Sequence, residues 1–322
     1  MKHPISFAFG LAALASISLV NSASAVVSID YVSVGNAGNA ADTTGHGAVA
    51  YEYKIAKNET TIGQYAEFLN AVAKSDPYAL YNPSMASNTN IAGISRSGSS
   101  GNYVYAPVAG SVNKPISYVS WFDAARFCNW MHNGQSSGGT ETGAYTLNGA
   151  MSGIYTVNAG ATTWIPSENE WYKAAYYDAT KGGTGGYWQY PTQSNALGGN
   201  TIGVANSANY YDGDFASSPG RLTDVGAYGA NSDSFYGTND QGGNVLEWYD
   251  AVMPGSRRGL RGGFWDIDVG FGDLTLTSSY SYVTEPSGER IGYGFRVASV
   301  PEPTCLVLTL LASGVLVIRR KR

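Results

Sequence analysis

Pro115-Ile-Ser-Tyr-Val-Ser-Trp-Phe-Asp-Ala-Ala-Arg-Phe-Cys-Asn-Trp130 is the stretch on which the reading of this chain turns. Ser120 followed by Asp123 is a helix-start signal, and Gly134 supplies the stop, so a helix is predicted from Ser120 to His132. Two other runs share that grammar. Thr61 with Gln64 forms a capping box ahead of Ile62, Tyr65, Leu69 and Val72, which fall on one helical face until Asp76-Pro77 ends it. Ser167 with Glu170 caps Ser167-Glu-Asn-Glu-Trp-Tyr-Lys-Ala-Ala-Tyr-Tyr177. Between these helices lie short β-prone runs such as Val49-Ala-Tyr-Glu-Tyr-Lys-Ile55 and Gly294-Phe-Arg-Val297, separated by Gly, Asn, Ser and Asp clusters. The fold class is α+β with a high irregular content.

Composition agrees. The 322 residues include 41 glycines, 24 tyrosines, 10 phenylalanines and 7 tryptophans, and only 13% are charged. Glycine at nearly twice its usual ~7% points to a chain rich in turns. The aromatic content argues against disorder, and the absence of a Gly-X-Y period excludes collagen. Net charge is -5, but five of the basic residues are Lys2 and the last four positions; residues 26–300 hold 14 bases against 23 acids. An acidic body without a basic stripe argues against nucleic acid and anionic lipid as partners. No internal repeat and no linker divides residues 26–300, which read as one domain.

The ends read as addresses. Met1-Lys2-His3, an apolar run to Val20 and Ala23-Ser24-Ala25 follow the order of a secretory signal peptide, assigned to residues 1–25. At the other end Pro301-Glu302-Pro303 precedes an apolar stretch from Thr304 to Ile318 and then Arg-Arg-Lys-Arg322. Fifteen helical residues reach only ~22 Å, short of a ~30 Å hydrocarbon core, and the basic cluster should stay cytoplasmic. Residues 301–322 resemble a PEP-CTERM sorting signal of Gram-negative bacteria. That resemblance implies recognition of Pro301, Glu302 and Pro303 by an exosortase-type enzyme, transient membrane anchoring through the C-terminal helix, and delivery to the cell surface or extracellular matrix. A permanent single-span anchor is the alternative.

The interior motifs carry a second resemblance. Lys57-Asn-Glu-Thr-Thr-Ile-Gly-Gln-Tyr-Ala-Glu-Phe-Leu69, the Pro115–Trp130 stretch, Ile165-Pro-Ser-Glu-Asn-Glu-Trp-Tyr-Lys-Ala-Ala175, Gly243-Asn-Val-Leu-Glu-Trp248, Arg261-Gly-Gly-Phe-Trp265 and Gly294–Val297 occur in that order. Together they resemble the formylglycine-generating enzyme, or sulfatase-modifying factor, family over nearly all of residues 26–300. The resemblance implies a single compact domain related to C-type lectin folds, with little regular secondary structure and bound calcium. The residues also have plainer readings: Trp121, Asp123 and Arg126 as anchors of one helix, and Glu168 and Glu170 as first-turn carboxylates.

The family's oxidase chemistry uses two cysteine thiolates to hold copper(I), a soft metal that selects soft ligands. Counted from Gly262-Gly263, Ile267 and Gly272 occupy those two positions, and Phe264 replaces the serine expected after the paired glycines. Only Cys128 and Cys305 occur in the chain, and Cys305 lies in the C-terminal apolar segment, so copper is not expected. The exported body has two histidines, His46 and His132, without the spacing of an iron or zinc site. There is no G-x-S-x-G elbow, and nothing in the spacing selects a carboxylate pair for glycoside hydrolysis.

Calcium is the cofactor the resemblance still implies. Residue by residue it points to Asp240, Gly243, Val245 and Glu247, with main-chain oxygens from Gly243 and Val245, and to a second site beginning at Asn209 and Tyr210, near Asp212 and Asp214. For Glu247 a salt bridge to an arginine such as Arg261 stands equally open. Arg261, Trp265 and Arg296 are the candidate groove. Two functions follow. One is an exported, non-catalytic binding or matrix protein for a surface polysaccharide or peptide, with loops such as residues 182–240 as recognition surface. The alternative is a divergent formylglycine-generating-type oxidase acting on an exported protein.

Overall fold

A computed structural model of the chain describes residues 26–91, 93–137, 139–216, 221–266 and 274–301. The expected leader, Glu302, Pro303, the apolar segment after them, Ile267 and Gly272 lie outside the described residues; Pro301 is the last described position and is exposed. In chain order the elements are β1 (Tyr31–Val34), β2 (Tyr53–Ala56), α1 (Ile62–Val72), α2 (Ser84–Ser87), β3 (Ile94–Ser97), β4 (Val104–Pro107), α3 (Trp121–His132), β5 (Thr163–Trp164), α4 (Glu168–Tyr176), β6 (Tyr177–Asp178), β7 (Gly186–Tyr187), β8 (Leu246–Met253), β9 (Arg257–Arg261), β10 (Tyr282–Thr284), β11 (Tyr293–Gly294) and β12 (Ala298–Ser299). Among the described residues no helix is long and apolar enough to cross a membrane.

All three capping boxes form. The Thr61, Ser120 and Ser167 hydroxyls accept from the backbone N–H groups of Gln64, Asp123 and Glu170, whose side chains in turn accept from the cap N–H. Each cap removes two unpaired donors from a helix start that is otherwise buried, which is why short helices persist here. α3 buries ten of its twelve residues. Its Phe127 lies 5.3 Å from Phe295 and 5.4 Å from Phe68 of α1, and Trp130 lies 5.3 Å from Phe68. Burial of such rings at about 2–3 kcal/mol each holds the two helices against the sheets.

Two four-stranded sheets frame this core, in the orders β1-β2-β12-β5 and β10-β9-β8-β11. The first is antiparallel throughout, and it joins the start of the described chain to its end. In the second, β11 runs parallel to β8. Gly294–Val297, expected as one strand, is instead the crossing between the sheets. Gly294 ends β11, Ala298 begins β12, and Phe295, Arg296 and Val297 between them are wholly buried. Strand β2 likewise begins at Tyr53 rather than Val49, where the backbone first meets β1.

Residues 188–245 carry no helix or strand of their own among the described positions, yet they are not a free loop. Ser207, Asn209, Leu222, Thr223 and Asn244 are buried within them. Asn244 fastens the segment: its Oδ1 accepts from Asn209 Nδ2 at 2.9 Å and from Thr223 N at 3.2 Å, and its N–H donates to Asn209 O at 2.8 Å. Gly243 makes that approach feasible, since it has φ +84° and a Cβ there would lie 2.3 Å from Asn209 O. Much of the segment expected to serve as adaptable surface is therefore spent on packing.

Candidate functional site

Glu247 of β8 stands directly across from Arg261 of β9 in the antiparallel register. The two do not pair. Glu247 takes Arg296 instead, with Nε to Oε2 at 2.6 Å and Nη2 to Oε1 at 2.7 Å, and also accepts from Trp171 Nε1 at 2.8 Å. Arg296 spends its remaining donors on the carbonyls of Ala56, Lys57 and Asn239. Arg261 turns to Glu168 at the start of α4, at 3.0 and 2.6 Å, and donates to Ser278 O and Tyr280 O. Of the two readings open for Glu247 from sequence, the arginine partnership is present, with Arg296 in the place foreseen for Arg261. The candidate groove residues Arg261, Trp265 and Arg296 are each at most 2% exposed. The two arginines cross-brace α4, β8, β9 and the chain crossing, while Trp265 packs with Ile91, Leu222 and Val245.

Two further carboxyl groups, buried Glu59 and partly buried Asp240, stand near Glu247. Glu59 accepts from Val245 N at 3.1 Å and from Asn244 Nδ2 at 3.0 Å, and Asp240 accepts from Gly226 N at 2.5 Å. Burial raises the Glu59 carboxyl well above its ordinary range, and the neighbouring Asp240 and Glu247 raise it further. Asp240 is pushed up to about 6 by burial. Three carboxyl groups thus stand near one guanidinium, and either protons or a cation would offset the charge that Arg296 does not. Carboxyl and main-chain oxygens are the donor type taken by calcium, the ion that the resemblance implies. Among the described residues no three Asp, Glu, His or Cys side chains converge on one point. A cation here would therefore rely on Asp240 and on main-chain oxygens, with Gly243 and Val245 as the candidates and Glu247 already engaged. Asn209 is brought beside Gly243, and Tyr210 follows it; their backbone oxygens accept from Asn244 N and Asn200 Nδ2.

An open cleft of about 370 Å³ lies between β5, the α4 cap, β8 and the end of the described chain. Tyr51, Val157, Asn158, Trp164, Glu170 and Asp250 are among its lining residues. Glu170 is only 2% exposed and accepts from Tyr51 Oη at 3.0 Å, Trp164 Nε1 at 3.2 Å and Ser167 N at 2.7 Å. Asp250 pairs with Arg258 and accepts from Tyr145 Oη at 3.4 Å. Burial lifts the Asp250 carboxyl to about 6 against the opposing pull of Arg258.

Comparison with known proteins follows the same architecture. Residues 21–300 match the sulfatase-modifying factor enzyme 1-like domain. The chain belongs to the sulfatase-modifying factor family. Among solved structures it is similar to Treponema denticola variable protein 1, at 17% identity over 86% of this chain and 98% of that one with a TM-score of 0.50, a likeness of fold. CarF (18% identity, 85% and 99% covered, TM-score 0.47) and PvdO from Pseudomonas aeruginosa (15%, 84% and 92%, 0.41) are also similar. No curated protein gives a significant match.

This sulfatase-modifying factor family member has two cysteines, of which only Cys128 lies among the described residues. Cys128 is fully buried in the α3 core, where burial raises its thiol well above the usual range. Phe264, in the place of the family's serine, packs between Trp265, 6.2 Å away, and Gly292, where a Cβ would meet the ring at 2.4 Å. His46 lies 3.7 Å from Glu168 Oε2 and His132 contacts Thr162, and among the described residues neither joins a cluster of metal-ligating side chains. Sequence reasoning missed Glu59, Asn244, Tyr51 and Asp250. Glu59 and Asn244 stood inside quoted motifs. Tyr51 and Asp250 are far apart in sequence, and only the fold brings them to one cleft.

Proposed function

We propose that this sulfatase-modifying factor protein is an exported binding or matrix module for a surface polysaccharide or peptide and not a formylglycine-generating oxidase. One observation carries the reading: the body's single thiol, Cys128, is sealed in the hydrophobic core, so no pair of thiolates is available to a soft metal. The internal use of Arg261 and Arg296 supports it, because side chains locked in buried ion pairs with Glu168 and Glu247 are not available to bind a substrate. Export and sorting rest on the sequence at both ends, with Pro301-Glu302-Pro303 as the recognition element for an exosortase-type enzyme and the cell surface or matrix as destination. Calcium is proposed as a structural ion at the acidic cluster beside Asp240.

The test is twofold. Copper(I) titration of the purified chain, with a Cys-x-Pro-x-Arg peptide assayed for aldehyde formation, should give neither stoichiometric copper nor product. A glycan and peptide array should give a ligand above background. Aldehyde formation would establish the oxidase instead.

A further inference from the structure

Tyr51 is 53% exposed, yet its hydroxyl is tied to Glu170 Oε1 at 3.0 Å. Half-buried Trp164 is tied to the other oxygen of the same carboxylate, Nε1 to Oε2 at 3.2 Å. Glu170 is itself held by the Ser167 N–H at the cap of α4, so one buried acid fixes two aromatic side chains along one cleft. Surface aromatics normally lose rotamer freedom on binding; here that loss has already occurred in folding.

We propose that this cleft binds a neutral, hydroxyl-rich pyranose unit of a polysaccharide. The proposal rests on the binding role argued above and gives it a place and a ligand class. Its volume of about 370 Å³ suits one sugar ring with its linkages. Fixed aromatic rings cover the C–H face of a sugar, and Val157 and Val300 extend the apolar wall. The polar groups are mainly acceptors. Asn158 donates through Nδ2 to Gly143 O and Thr146 Oγ1, which leaves its Oδ1 for a hydroxyl donor. Asp250 adds a carboxylate, and among the described residues no lysine or arginine lines the cleft, so a uronate or sulfated sugar would be repelled. A basic peptide finds little uncompensated charge, because Asp250 is paired with Arg258 and Glu170 already accepts three hydrogen bonds.

Calorimetric titration of the full chain with neutral hexose oligosaccharides, an oligouronate and an oligolysine tests this, alongside Tyr51→Ala, Tyr51→Phe and Val300→Arg chains whose melting matches wild type. The expected result is binding of a neutral oligosaccharide, weakened about tenfold by Tyr51→Ala and by Val300→Arg, and about threefold by Tyr51→Phe, which keeps the ring but frees it from Glu170. Preference for the oligouronate or the oligolysine would overturn the ligand class. Saccharide binding indifferent to Tyr51→Ala and Val300→Arg would overturn the site while leaving the binding role standing. No binding of any saccharide or peptide by the wild-type chain would overturn both.

Discussion

Arg296 grips Glu247 through two parallel hydrogen bonds of 2.6 and 2.7 Å, and neither side chain has any exposed surface. The guanidinium comes from the crossing that leaves the second sheet for the first, and the carboxylate comes from β8, so the pair joins both sheets. Removing one partner strands the other in the core. Arg296→Ala is expected to lose about 3–5 kcal/mol of stability, read by urea denaturation. Arg296→Lys should recover little, because a lysine ammonium cannot reproduce the two-pronged contact together with the donors to Ala56, Lys57 and Asn239.

The acidic remainder around Glu59 and Asp240 gives calcium a measurable consequence. A cation bound only by the folded chain adds to stability by mass action. Removal with a chelator should lower Tm by at least about 4 °C, and calcium rather than magnesium should restore it. An unchanged Tm would show that protons, not a cation, neutralise the buried carboxylates.

Asp250 sets a pH dependence whose sign follows from burial. Its folded value of about 6 exceeds the ordinary 3.8, so the folded chain binds the proton more tightly than the unfolded one. The resulting stabilisation is complete below about 3.8 and disappears as pH rises through about 6. Between pH 7 and pH 5 this site should therefore add about 1 kcal/mol. Asp250→Asn should flatten that portion of the stability profile, measured by denaturation at each pH against wild type.

Cys128 should be chemically silent in the folded protein. It is wholly buried, and burial raises its thiol, so little thiolate forms and no reagent reaches it. In a Cys305→Ser chain a thiol-specific reagent should label nothing under native conditions and one equivalent in denaturant. Rapid native labelling would contradict the sealed core on which the non-oxidase reading rests.

Local chemistry was legible in sequence because it is read over three or four residues. Thr61 with Gln64, Ser120 with Asp123 and Ser167 with Glu170 each specify a helix start through hydrogen bonds between near neighbours, and all three form. The ordered motifs identified the family for the same reason, and the cysteine count limited the chemistry before any geometry was known. Partner choice among charged groups was decided only by the tertiary structure. Arg261 on β9 and Arg296 in the crossing both lie near Glu247, and nothing local says which one it takes; the crossing delivers Arg296, while the start of α4 draws Arg261 to Glu168. The Tyr51–Glu170 contact spans 119 positions in the chain. A cleft assembled from such distant residues has no sequence period, because its spacing is set by the packing of α4 against two sheets.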